Sequence, residues 1–158
     1  MKKFMSVLGV LLCFTMIFSF AGCSENKEVV LTQVIDSINT EFGIDKDAML
    51  TIEDTDTLEL YYNVASADVK QFAAQTSLNS ATDITEFIFV EAVDADAAKR
   101  VFDALETRYN AQKDLCASYS AELLSVVNKC KVVQDGNFII LVMSDNFDAI
   151  TEHYKTFF

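Results

Sequence analysis

The chain has 158 residues, with 24 acidic side chains against 12 basic ones, a single histidine, four cysteines and no proline. A net charge of −12, with no basic stretch interleaved with aromatics, argues against a nucleic-acid binder. The lack of proline rules out a Pro-rich spacer, and the length suits one domain with its own core.

Residues 1–22 differ in kind from the remainder. Met1-Lys2-Lys3 is a short basic start, Phe4 to Gly22 carries no charge, and Cys23 opens the polar stretch Ser24-Glu25-Asn26-Lys27. A basic start, an apolar run and small residues before a cut are the marks of a secretory signal. Ala21-Gly22 directly before Cys23 makes the junction a lipobox, because lipid transfer needs a thiol nucleophile and the peptidase that follows needs small side chains upstream. Phe20 departs from that pattern, standing where leucine is usual. Two other readings stay open: cleavage after Ser19-Phe20-Ala21 by an ordinary signal peptidase, or an uncut helix spanning about 28 Å, close to the thickness of a bilayer core. In all three the lysines keep the N-terminus inside, so the domain is expected on the outer face of the cytoplasmic membrane. The expected organisation is a lipoprotein signal peptide over 1–22, a fatty-acylated Cys23 with a short tether to residue 27, and one domain over 28–158. That tether sets the domain within about 15–20 Å of the bilayer. Leaving out residues 1–22 removes two lysines and no acid, so ten cations face 24 acids and the net charge becomes −14. Such a body repels anionic headgroups and attracts cations or basic partners.

Leu31, Val34, Ile35, Ile38 and Phe42 recur at helical spacing before Gly43, which predicts a first helix over about 27–42. Ala48 to Ile52 suits a short strand, and Asp54 or Thr55 suits the cap of a helical turn carrying Leu58, Tyr61 and Tyr62. Val69 to Thr76 and Ile84 to Ala92 read as strands joined by the turn chemistry of Leu78 to Asp83, hence a hairpin. Asp94 or Asp96 caps a long helix with Ala98, Val101, Phe102, Leu105 and Tyr109 on its apolar stripe, ending near Leu115. Ser120 caps a shorter helix through Val127. Lys131 to Gln134 and Asn137 to Ser144 flank Asp135-Gly136, a strong signal for a second hairpin. Asp145 or Asn146 caps a last helix with Phe147, Ile150 and Tyr154 inward. The order indicates an α+β fold: an antiparallel sheet of two hairpins with helices packed mainly on one face.

No residue pattern amounts to a chemistry. His153, the one histidine, shows no oriented partner for general-base work, and neither Cys116 nor Cys130 sits in a nucleophile motif. These two cysteines are expected as buried free thiols, since a helical segment separating them sets their Cα atoms too far apart to bridge. The acidic pairs Asp45/Asp47, Asp54/Asp56, Asp94/Asp96 and Asp145/Asp148 lack the compact, glycine-turned loop of a calcium site, and helix capping accounts for them better. One histidine and two cysteines fall short of a zinc site, so neither metal nor cofactor is expected. Arg108 is one of few basic residues in an acidic domain; it is either an ion pair at the core edge or a clamp for a carboxylate or phosphate. Tyr61, Tyr62 and Tyr119 are either core aromatics with wet hydroxyls or the walls of a groove.

Several segments recur in a familiar order: Leu58-Glu59-Leu60-Tyr61-Tyr62, Thr85 to Val90, Arg108 and Gln112, Tyr119 with Glu122-Leu123-Leu124, Gly136-Asn137-Phe138, and Val142 to Asn146. Over about residues 45–150, together with the signal and lipobox, the chain resembles an uncharacterised family of small Gram-positive lipoproteins that carry a domain of unknown function. The resemblance implies no activity and no catalytic residue. It points to membrane-bound O-acyltransferases that modify surface polymers as a class in which to look for a partner. The function expected is therefore a membrane-anchored, non-catalytic interaction or accessory module of the cell envelope with an envelope protein as partner. Two alternatives stand beside it: an enzyme or enzyme subunit acting on surface polymers through dispersed carboxylates, and a binding protein for a small cationic or peptide ligand.

Overall fold

The computed structural model describes residues 28–158. The signal peptide, the lipobox of Phe20, Ala21 and Gly22, the lipidation site Cys23 and the tether to residue 27 lie outside the described residues.

Helix α1 (Leu31–Glu41) opens the fold, and β1 (Met49–Ile52) and α2 (Thr55–Tyr62) follow. The first hairpin is β2 (Val69–Ser77) with β3 (Glu86–Ala92). The long α3 (Ala95–Tyr119) and short α4 (Ala121–Val127) lead to the second hairpin, β4 (Lys131–Asp135) with β5 (Phe138–Met143), and α5 (Phe147–Lys155) closes the chain. Side-chain caps come from Asp54, Asp94 and Ser120, each accepting backbone N–H bonds of the first turn. Asp45 does the same for the 3-10 turn at Lys46–Ala48, but Asn146 makes no side-chain cap. Gly43 (φ +64°) ends the first helix and Gly136 (φ +57°) makes the tight turn of the second hairpin, both in the left-handed region that glycine enters without strain.

The sheet is antiparallel, in the order β1-β2-β3-β5-β4. Both expected hairpins are present and join in one sheet, β3 pairing with β5 from Glu86↔Met143 to Glu91↔Phe138. A fifth strand, β1, pairs with β2 at Met49↔Ser77 to Ile52↔Ala74. The expectation of a sheet built from two hairpins alone is corrected on that count.

The expectation of helices mainly on one face is corrected as well. Glu86 receives bonds from Tyr62 and Arg108, so its face meets α2 and α3. Successive strand residues point to opposite faces, and on the other face Phe89 packs against Tyr154 of α5 while Gln75, opposite Phe87, bonds to Asn39 of α1. The physical reason is the composition of the two central strands. Every residue of β3 is buried, and so is β5 from Ile139 to Met143, because both are near-continuous apolar runs. Such runs need cover on both sides. Helix α1 starts at Leu31, later than expected, and α3 runs one turn past Leu115 to Tyr119.

Tyr154 is buried against Phe89, and its hydroxyl finds no hydrogen-bond partner among the described residues. Burial, with the charges of Asp135 and Glu91, pushes this phenol far above its usual range. An unpartnered buried hydroxyl destabilises, so Tyr154→Phe is expected to raise stability by about 1 kcal/mol. A urea midpoint that falls instead would show the hydroxyl to be bonded after all.

Candidate functional site

Of the residues singled out in the sequence, Tyr62 and Arg108 meet at one end of the sheet, where β3 begins and β5 ends. Glu86, almost fully buried, is the centre. Tyr62 Oη donates to its Oε1 at 2.9 Å, Arg108 Nη2 donates to the same oxygen at 2.9 Å, and Arg108 Nε donates to Oε2 at 3.1 Å. The guanidinium carbon lies 5.6 Å from the Tyr62 ring centroid, a cation–π contact. In the amide orientation that satisfies both groups, Gln112 Oε1 accepts from Arg108 Nη1 and Nη2 at 2.8 and 2.7 Å. Burial and the adjoining Glu86 carboxylate push the Tyr62 phenol far above its ordinary value.

In this arrangement Arg108 makes the ion pair that was one of its two readings. All three guanidinium nitrogens are engaged inside the chain, so the group is an ion pair at the core edge and holds no fork open for a ligand. Tyr62 is a core aromatic, whereas Tyr61 and Tyr119 are exposed. Glu86 was not singled out by sequence reasoning, although a carboxylate beside the apolar Phe87 to Val90 run was a signal that it must find a partner. Two further pairs brace the opposite end of the sheet. Arg100 grips Asp68 at 2.9 and 2.6 Å, and its hydrogen bonds hold that carboxyl below the usual range; Lys70 meets Glu91 at 2.7 Å.

The remaining candidates are dispersed. His153 Nε2 lies 2.9 Å from Ser37 Oγ, with Phe42 and Phe157 edge-on to its ring. That pair joins α1 to α5, and among the described residues no carboxylate bonds to the imidazole to orient it as a triad requires. Cys116 and Cys130 are buried free thiols. Burial pushes the Cys130 thiol up, and it donates to Val126 O. Among the described residues no three His, Cys, Asp or Glu side chains are gathered to hold a metal ion, and no helix is long and apolar enough to cross a membrane.

Beside the Glu86 cluster lies a cleft of about 600 Å³ between the β2–β3 connection, α4 and the end of β5. Ile84, Leu123 and Val126 form an apolar floor, and Asp83, Glu122, Lys129 and Asp145 stand around it. Burial raises the Asp83 carboxyl, but hydrogen bonds from Thr85 Oγ1 and N and from Ser77 outweigh it and hold the group below its usual range. A second cavity, of about 440 Å³, lies under α1 at the edge of β2, with the mutually bonded amides of Asn39 and Gln75 in its lining.

The family model described as "Domain of unknown function (DUF4358)" matches residues 43–144. The chain belongs to this DUF4358 family. No curated protein and no solved structure matches the chain. The matched segment of this DUF4358 protein contains the whole Tyr62–Glu86–Arg108–Gln112 cluster and the cleft up to Ser144. It leaves out α1 and α5, the helices of the opposite face.

Proposed function

We propose that this DUF4358 protein is an extracytoplasmic lipoprotein, anchored through Cys23, whose acidic domain serves as a non-catalytic interaction or accessory module of the cell envelope. The observation that carries the anchor is in the sequence: Lys2-Lys3, an uncharged run to Gly22, and Ala21-Gly22 directly before Cys23. With α1 beginning at Leu31, the intervening residues 24–30 reach at most about 25 Å from the bilayer.

Two features of the domain support a module over an enzyme. Among the described residues, hydrogen bonds hold the carboxyls of Asp54, Asp68, Asp83 and Asp96 below their ordinary value. A general acid acting near neutral pH needs the opposite shift. The second feature is a set of large apolar side chains left in solvent at the Glu86 end, with Leu78 63 %, Leu115 52 % and Tyr119 47 % exposed.

Cys23→Ala is expected to abolish fatty-acid labelling and to move the protein from the membrane fraction to the medium or the unprocessed precursor pool. Mass spectrometry of the wild-type protein is expected to place the mature N-terminus at an acylated Cys23. An unmodified Cys23, or a mature chain starting at Gly22, overturns the anchor.

A further inference from the structure

We infer that the cleft between the β2–β3 connection and α4 is a docking groove for a basic segment of a partner protein, which lays an apolar side chain on the Ile84–Leu123–Val126 floor and sets lysine or arginine side chains against Asp83, Glu122 and Asp145. The inference rests on the interaction-module reading and deepens it by naming the face and the chemistry of what it takes.

Three observations converge on this groove. The first is shape. A volume of about 600 Å³ is enough for a few side chains. The floor residues stay just short of full burial, so an apolar group placed on them displaces water.

The second is the exposed apolar surface beside it. Helix α3 has 25 residues, a length of about 37 Å, whereas the seven residues of β3 reach about 23 Å. Arg108 meets Glu86 at the start of β3, so the turns after it overhang the sheet. Leu115 and Tyr119 stand on that overhang in solvent, and Tyr119 Oη reaches Ser80 O at 3.5 Å, tying the helix to the connection that carries Leu78 and walls the groove. Tyr119 is followed by Ser120, which lines the groove, so these exposed apolar groups stand beside the groove without lining it.

The third is charge. Among the described residues, Lys46, Lys70, Lys99, Arg100, Arg108, Lys129 and Lys155 each lie within 4 Å of a carboxylate, leaving Lys113 and Lys131. Lys113 lies over the Tyr109 ring. The positive charges are thus largely neutralised in place, while a surplus of carboxylates faces solvent. At the groove the one cation, Lys129, already faces Asp145 at 3.8 Å. A complementary surface is therefore cationic, and an anionic lipid surface is repelled. The apolar floor gives a small hydrophilic cation nothing to bury. The acids also stand apart, with no three gathered for a metal among the described residues.

The test uses the full chain in non-ionic detergent and a fluorescein-labelled, lysine-rich peptide with a single central phenylalanine, read by anisotropy against protein-free micelles. Saturable binding that weakens with added salt is expected, with none by the glutamate counterpart. Charge reversal at the exposed rim, Glu122→Lys or Asp145→Lys, is expected to weaken binding about tenfold or more, since like charges then face each other. Asp47→Lys and Asp103→Lys make the same change in net charge elsewhere and are expected to leave it within about twofold. Equal losses at Asp47 and Asp145 would reduce the effect to general acidity and overturn the groove. So would undiminished binding when glycine replaces the peptide's phenylalanine, full competition by spermidine, which would make this a small-cation site, or no binding at all. Peptide binding needs no acyl chain, so failure of the Cys23 anchor and failure of the groove are read separately.

Discussion

Arg108→Ala is expected to cost this domain about 3–5 kcal/mol, a large part of the stability of an ordinary fold. The size follows from what is left behind. Glu86 has 2 % of its side chain exposed, and Arg108 supplies two of the hydrogen bonds that hold its charge. Removing the guanidinium leaves Tyr62 Oη as the one side-chain donor to a buried carboxylate. Breaking one partner of such a pair is expensive, whereas replacing the whole set by apolar groups of similar volume is close to neutral. Arg108→Met combined with Glu86→Leu and Tyr62→Phe is therefore expected to recover most of the loss. Chemical denaturation of the wild type, the single variant and the triple variant checks both halves. A single-variant cost below about 1 kcal/mol would show that Glu86 reaches water and that Arg108 had been free to serve a ligand after all.

Phe89→Ala is expected to cost a similar amount, about 3–5 kcal/mol, for a different reason. Phe89 is fully buried at the middle of β3, opposite Ala73 on β2 and Ile140 on β5, with its ring 5.6 Å from that of Tyr154. Truncation opens a cavity walled by two strands and a helix, which cannot all close in. Val93→Ser, at an exposed position just past β3, is expected to change stability by no more than about 0.5 kcal/mol. Equal losses at the two positions would mean that the α1–α5 face is not the packed layer described. A large loss at Phe89 alone confirms that the sheet is covered on both sides.

The starts of α2, α3 and α4 were legible because a cap is a local event. Asp54, Asp94 and Ser120 each sit beside the N–H groups they accept from, so a few residues of sequence contain the whole interaction. The hairpins were legible for the same reason, through the turn chemistry of residues 78–83 and Gly136. The partners of Arg108 were not. Glu86 lies 22 residues away and Tyr62 a further 24 from Glu86, and only the packing of α2 and α3 on one face of β3 brings the three together. The cleft escaped the sequence too, since its floor comes from the β2–β3 connection and α4, segments that are neighbours only through the β3–β5 pairing.

By itself the sequence determined the helices and hairpins, the acidity of the body and the N-terminal pattern behind the proposed anchor, because each depends on residues near one another in the chain or on composition alone. Only the tertiary structure decided that a fifth strand joins the two hairpins, that the sheet is covered on both faces, that Arg108 is spent on Glu86, and that an apolar-floored groove opens beside them. Those outcomes depend on which surfaces meet, and a strand apolar on both sides does not say which helix will cover which face.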